Sequence, residues 1–265
     1  MKKFTLASSA INKDYQLSFF DEIGSTNSEA LKAAKIGAKG KHWFVSDNQI
    51  SGRGRMGREW FSSKGNLAAS LLLTTDLSPK TCSTLGFVAG VAAYRAIEQS
   101  RVGSKILLKW PNDILADGAK ILGIMLESQL LPNNNQAIVI GFGVNIVDAP
   151  KDMPYATSCL FDIGSSYDAK DFFNSLSNHW LEIYQIWNNG NGIKKVLEIW
   201  KKNAAGIGQE IHISNHGKTI SGIFKDIDEN GRLVVKTNIG KIEYISAGDV
   251  HFGSATSKRS YNGKA

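Results

Sequence analysis

Apolar residues along the chain fall into short alternating or continuous blocks, interrupted by stretches in which they recur at helical spacing. Residues 15–21 read as a short strand. The segment Ser25-Thr26-Asn27-Ser28-Glu29 then predicts a helix start with Thr26 as N-cap and Glu29 as its capping-box partner, and Gly37 stops that helix. Residues 42–49 and 66–74 predict two further strands. Across residues 81–100, Leu85, Val88, Ala89, Ala92 and Ala96 repeat with helical period and are small enough to lie close on a sheet. Residues 105–110 predict a strand ended by Pro111-Asn112-Asp113, and Asp117-Gly118 marks a hairpin turn. Residues 120–130 and 137–146 are apolar on both faces, which places them in the middle of a covered sheet. Phe173, Leu176, Trp180, Ile183, Tyr184 and Trp187 then line one side of a helix beginning near Asp168, and residues 193–202 supply another.

After Gly206 the texture changes to short strands at 210–214, 219–226, 232–237 and 241–245, separated by Asn215-His216-Gly217 and Glu229-Asn230-Gly231 turns. The hairpin connections favour a mixed, largely antiparallel sheet, so the fold class is α+β with a small C-terminal all-β barrel. The expected division is a main domain over residues 1–205, a barrel over 206–253 and a disordered tail over 254–265.

Composition narrows the class less than the pattern does. The 265 residues carry 31 Lys and Arg against 24 Asp and Glu, a net +7 that suggests an anionic partner without choosing one. Cys82 and Cys159 are the only cysteines, so neither a disulfide framework nor a thiolate zinc site is available, and a reducing cytoplasm is the expected location. The start, Met1-Lys2-Lys3 and a weak apolar run ended by Asn12, Lys13 and Asp14, is a poor signal peptide. No run approaches the ~18 apolar residues of a membrane span.

Gly52-Arg53-Gly54-Arg55-Met56-Gly57 satisfies the G-x-G-x-x-G spacing of a dinucleotide fold, with Asp76 placed as its acidic partner. The eight residues between Gly57 and Asn66 are too few for a parallel crossover with its helix, which takes ~10 or more. Three arginines among glycines suit a mobile backbone that wraps an anionic ligand and supplies charge-assisted donors to phosphate or carboxylate oxygens. A solvated basic turn or a nucleic-acid contact would use the same composition. Further along stand Lys109-Trp110-Pro111-Asn112-Asp113, Lys120 with Gly123, and Gly141-Phe142-Gly143-Val144-Asn145. Glycine inside an apolar strand costs packing and commonly marks close approach of a ligand or another backbone. His212 and His216 are four apart but flank a predicted strand end with no further ligand nearby, so no zinc is expected.

Taken together, Ser25-Thr26-Asn27, Gln49, the run from Gly52 to Trp60, the Lys109 to Asp113 segment, Lys120 with Gly123, and the Gly141 to Asn145 segment resemble the biotin protein ligases over residues 25–252. The resemblance implies a fold like that of class II aminoacyl-tRNA synthetases and biotin ligases, with an SH3-like C-terminal barrel. It also implies two half-reactions. Biotin's carboxylate attacks the α-phosphorus of ATP to give biotinyl-5′-AMP and pyrophosphate, and a lysine of a biotin carboxyl carrier protein then takes the biotinyl group and expels AMP. Carried onto this sequence, Lys120 bridges carboxylate and α-phosphate as a cation. Arg53 lies near the carboxylate, with Arg55 and Arg58 near the phosphates. Ser25, Thr26, Asn27 and Gln49 line the biotin site with Gly52, Gly123, Gly141 and Gly143. Trp60 lies near the adenine, with Asn112 and Asn145 at the nucleotide. Asp113 either helps hold Mg²⁺ or takes the proton from the incoming lysine.

Some relatives carry an N-terminal winged helix-turn-helix; only fourteen residues precede Tyr15, so no operator DNA is expected as a partner. A homodimer is left open. The rival readings are a lipoate protein ligase of the same fold, which the polar Ser25, Thr26 and Gln49 set disfavours, and a basic nucleic-acid binder, whose affinity would fall steeply with salt.

Overall fold

The computed structural model describes residues 3–132, 135–215 and 218–252. In chain order its elements are α1 (Ser8–Ile11), β1 (Gln16–Phe19), α2 (Thr26–Lys35), β2 (His42–Ser46), β3 (Gly52–Arg53), β4 (Glu59–Trp60), β5 (Leu67–Thr75), α3 (Pro79–Ser83) and α4 (Leu85–Gln99). There follow β6 (Ile106–Lys109), β7 (Asp113–Ala116), β8 (Ala119–Leu130), β9 (Gln136–Val144), α5 (Ala169–Trp187) and α6 (Ile193–Lys202). The chain ends in β10 (Glu210–Asn215), β11 (Lys218–Ile227), β12 (Leu233–Thr237), β13 (Ile242–Ile245) and β14 (Asp249–Phe252). No helix among the described residues is long and apolar enough to cross a membrane.

Seven strands form one sheet in the order β1-β2-β5-β9-β8-β7-β6. All neighbours are antiparallel except β1 and β2, a parallel pair joined through α2. The two apolar runs expected inside the sheet become β8 and β9, with β9 at its centre. Strand side chains alternate between faces, and the two faces differ in kind. Trp43, Leu71, Ile140 and Phe142 pack into one continuous core with α4, α5 and α6. There the Trp43 ring meets Phe173 and Trp180 edge-on, with centroids 5.4 and 6.4 Å away. On the opposite face Phe44, Leu72, Ala137 and Val139 form a smaller cluster with Ala30 and Ala34 of α2, against which Phe20, Leu31 and Leu131 also pack. The rest of that face is left for something other than helix.

Local chemistry corrects several expectations. Ser25 rather than Thr26 is the N-cap of α2, with an extended backbone and an Oγ that accepts from Ser28 N. The Thr26 amide is instead taken by the Gln49 side chain, and Glu29 pairs with Lys32 at 3.0 Å rather than reaching back. The single helix expected over 81–100 is two, separated at Thr84, whose hydroxyl donates to Thr81 O and accepts from Trp187 Nε1. The chain start is packed rather than loose: Phe4 and Leu6 are buried, and Ala7 N donates to Ser177 Oγ of α5.

The C-terminal strands form a five-stranded antiparallel sheet in the order β13-β12-β11-β10-β14, and β14 is an element the pattern did not announce. Among the described residues β13 and β14 stay unpaired with each other, so the sheet is open where a closed barrel was expected. Its buried residues Ile211, Phe224, Leu233, Val235 and Val250 join the main core. Trp110 Nε1 donates to Gly231 O at 3.0 Å across the junction. Covering one face with the main core is another way to bury a small sheet. The expected turn at His216-Gly217 and the expected disordered tail lie outside the described residues.

Candidate active site

Register across the sheet lays out the floor of the site. On the face away from α4 and α5, Lys109, Asp113, Gly123, Gly143, Ala68 and Ser46 are successive cross-strand partners on β6, β7, β8, β9, β5 and β2. The next row on that face is Met125, Gly141, Ser70 and Phe44, and the one after begins with Glu127. Glycines at three of these positions leave a trough. The Trp60 indole fills the part over Gly123 and Gly143, and the Asn27 amide lies over Gly141; a methyl group on Gly141 or Gly143 would collide with those side chains.

One end of the trough is polar because the start of α2 opens onto it. Gln49 Oε1 accepts from Thr26 N at 2.9 Å and lies 3.2 Å from Thr26 Oγ1. The buried Ser70 hydroxyl lies 2.5 Å from Asn27 Oδ1 and 2.7 Å from Thr26 Oγ1. Asn27 Nδ2 donates to Glu127 at 2.8 Å, and Arg53 Nη2 reaches the same carboxylate at 3.2 Å. Ser25, Thr26, Asn27 and Gln49 are all buried polar residues, a class that survives folding only when its groups find partners. Gly52 sits where a side chain would strike Trp60 O and Gln49 Nε2.

At the other end stands Lys120. Counting in twos from Gly123, residue 120 has the parity of the core face. A β-bulge corrects this: Ile114 pairs with Leu122 and Leu115 with Lys120, leaving Ile121 as the extra residue. Ile121 and Leu122 both enter the core, and Lys120 turns to the trough. Its Nζ lies 2.7 Å from Asp113 Oδ1 and about equally far from two aromatic rings, 5.4 Å from Trp60 and 5.5 Å from Tyr155. An ammonium flanked by two ring faces and a carboxylate is attracted by all three. Next to it, Asn112 Nδ2 donates to Ile124 O, and its Oδ1 accepts from Arg55 Nη1 at 2.8 Å. Asn145 is buried, with Nδ2 donating to Ser158 O, while its Oδ1 has no donor among the described residues.

The arginine segment, expected to be a mobile loop, is the tip of a small hairpin formed by β3 and β4 and closed by Gly54 N donating to Arg58 O. Met56 and Gly57 take the left-handed conformations that such a tight tip requires. This geometry, with β2 and β5 antiparallel, excludes the dinucleotide crossover. Arg58 Nη2 pairs with Asp249 of β14 at 3.0 Å, and Arg55 Nη1 is 4.0 Å from the same oxygen. Burial pushes the Arg55 guanidinium below its ordinary pKa, and Asp249 and Asp113 pull it back up. Burial likewise lowers the Lys109 pKa, opposed by Asp113 and reinforced by Lys120.

The structure therefore gathers the sixteen residues singled out by sequence around one trough. It also adds Ser70, Lys109, Glu127, Tyr155 and Asp249. Ser70 and Glu127 carry a signal only in hindsight, as polar residues inside otherwise apolar strands; Tyr155 and Asp249 carry none. Trp60 stands on the glycine floor assigned to biotin rather than apart from it. His212 Nδ1 is 2.7 Å from Ser221 Oγ, and His216 lies outside the described residues. No cluster of three or more His, Cys, Asp or Glu that could hold a metal occurs among the described residues.

Residues 21–145 match the Biotin/lipoate A/B protein ligase family, and residues 206–253 match the Biotin protein ligase C terminal domain. The chain is 34% identical over 236 residues to a biotin--[acetyl-CoA-carboxylase] ligase of Paracoccus denitrificans, covering 86% of this chain and 97% of that one. It is 31% identical over 243 residues to the bifunctional ligase/repressor BirA of Bacillus subtilis (strain 168), covering 89% of this chain and 74% of the relative. Among solved structures, the biotin protein ligase of Aquifex aeolicus in complex with biotin and ATP shares the fold. The TM-score is 0.75 at 23% identity, with 90% of this chain and 99% of that one covered.

Proposed function

The chain belongs to the biotin protein ligase family, and on that premise we propose how its own residues divide the work of activating biotin with ATP and transferring it to a carrier protein. The observation that carries the reading is the trough itself. A glycine floor with buried polar groups at one end meets Lys120, Arg55, Arg58 and Lys109 at the other. Biotin's ureido ring needs donors and acceptors in a buried place, which the Ser25, Thr26, Asn27, Gln49 and Ser70 group supplies. Gly123, Gly141 and Gly143 let the ring system lie against the backbone, with the Trp60 indole moving off the floor to cover it.

The carboxylate then points toward Lys120, whereas Arg53, expected beside it, pairs with Glu127 at the ureido end. An oxygen of that carboxylate attacks the α-phosphorus of ATP, the bond to the bridging oxygen breaks, and pyrophosphate leaves with the electron pair. Lys120 neutralises charge on both partners as the bond forms, and Arg55 and Arg58 hold phosphate oxygens. In the second step the neutral amine of the carrier lysine attacks the acyl carbon of the mixed anhydride, the bond to the phosphate oxygen breaks, AMP leaves with the electron pair, and the amine's proton passes to Asp113 or to water. Arg55 covers that anhydride against water, so its loss should release the adenylate to solvent. Asn112 and Asn145 hold the nucleotide, the latter through its unpartnered Oδ1.

Mg²⁺ suits this site as a companion of the nucleotide rather than a resident of the protein. It binds through one or two carboxylates and substrate phosphates, and Asp113, whose Oδ1 faces Lys120, would be the carboxylate to share with it. When bound it would supply further neutralisation of phosphate charge. Asp113 otherwise keeps Lys120 aimed at the floor. We also propose the division of the chain into a catalytic unit over residues 1–205 and a C-terminal unit over 206–253, a cytoplasmic location, and a biotin carboxyl carrier domain as the acceptor.

The test is to incubate the protein with ATP, Mg²⁺ and either biotin or lipoate, measuring pyrophosphate release and the mass gained by a biotin carrier domain. Biotin-dependent release and transfer are expected. Dependence on lipoate instead would move the chain to the other branch of its family.

A further inference from the structure

Where the arginine hairpin meets β14, four cations face two carboxylates. The cations are Arg55, Arg58, Lys109 and Lys120, and the acids are Asp113 and Asp249. Asp113 is already taken by Lys120 at 2.7 Å. The acid left for Arg55 and Arg58 is Asp249, which is contributed by the C-terminal sheet, 191 positions from Arg58. One of its oxygens serves both guanidiniums, at 3.0 Å from Arg58 and 4.0 Å from Arg55. Arg58 Nε also donates to the backbone carbonyl of Arg55 at 3.2 Å, which ties the Arg58 side chain to the hairpin tip. The Arg55 side chain is only 24% exposed. A guanidinium in that setting next to a second one needs a counter-charge to stay in place.

Resting on the adenylation site proposed above, we propose that Asp249 is a stand-in anion. It is a positioning residue that holds Arg55 and Arg58 over the trough before nucleotide arrives and gives them up to a nucleotide phosphate. The geometry favours the exchange. A single carboxylate oxygen shared by two guanidiniums uses little of their fork, whereas a phosphate can accept two parallel N–H bonds from each. The Asp249 side chain is one-third exposed, so on release its charge returns readily to water. An interaction present only in the nucleotide-free protein opposes binding, because binding must first break it. The C-terminal sheet thus sets how tightly nucleotide binds through the acid it lends to the two arginines.

The experiment titrates ATP with Mg²⁺ into the full chain and into Asp249→Asn by calorimetry. In parallel, trypsin cleavage at Arg55 and Arg58 is followed by mass spectrometry with and without ATP. Asp249→Asn is expected to bind ATP about threefold more tightly. Its nucleotide-free form should be cut faster than the wild type, and ATP should restore protection. Asp249→Ser should act in the same direction, and Asp249→Glu should behave as wild type. Unchanged or weaker ATP binding by both neutral variants would overturn the proposal, since it would mean the contact persists or is absent in the bound state. A wild-type chain that takes up no ATP would overturn the site reading itself, and the wild-type titration separates that failure from the first.

Discussion

The two faces of the seven-stranded sheet are built from alternate residues of the same strands, yet they obey different rules. On β9, Ile140, Phe142 and Val144 enter a core of interlocking aromatic and aliphatic side chains, while Gly141 and Gly143 between them bring no side chain to the other face, where the Asn27 amide and the Trp60 indole lie over them. One face is filled by the strands' own side chains and the other is covered by side chains that reach across it from elsewhere in the chain. The contrast teaches that stability and binding can be written into one strand and still be altered separately.

That separation can be broken or sharpened by experiment. Trp43→Ala empties the centre of the filled face and should lower stability by about 3–5 kcal/mol, read by denaturant unfolding. A loss below 1 kcal/mol would mean the aromatic cluster is not the fold's anchor. Lys120→Ala acts on the glycine face and should cut biotin-dependent pyrophosphate release by about 10²–10³, with the unfolding midpoint nearly unmoved. A variant that merely unfolds would make the lysine structural.

Tyr15 tests the filled face through pH. Burial pushes its phenol up to about 12, with Trp180 Nε1 donating to its oxygen. In the unfolded chain the phenol titrates near 10, so the folded state keeps a proton that the unfolded state releases. The resulting stabilisation, about 2–3 kcal/mol, is complete below pH 10 and is lost as pH rises from 10 to 12. Tyr15→Phe should flatten that alkaline slope in unfolding measurements and leave catalysis at neutral pH alone. Gly141→Ala is the mildest change. Its methyl group meets the Asn27 amide, so biotin binding should weaken about tenfold while thermal stability stays close to wild type. Equal loss of both would mean the faces are coupled after all.

Much of this architecture was readable from residue pattern, for reasons tied to particular residues. Asp117 and Gly118 both take positive φ, as a tight hairpin turn between β7 and β8 demands. Helix α6 runs over the residues its periodicity marked, because Val196, Leu197 and Trp200 give it a single buried face. What escaped was set by distant partners. Thr26 looked like a cap but spends its amide on Gln49, and Ser25 takes the role instead. The hairpin arginines announced an anion, while the acid that meets them lies on a strand whose four residues carry no strong pattern. The open edge of the C-terminal sheet follows from the main core covering it, a fact of docking rather than of local sequence.

The bulge at Ile121 has a bearing on angle as well as on side. Removing that residue would return β8 to plain alternation and would leave the lysine on the trough side, since one step each way restores its parity. Lys120 would still stand opposite Leu115, but the strand would lose the bend and the added twist that an extra residue brings. The extra isoleucine therefore acts as a wedge, its side chain stored in the core while its backbone sets the angle at which the reactive charge meets the glycine floor.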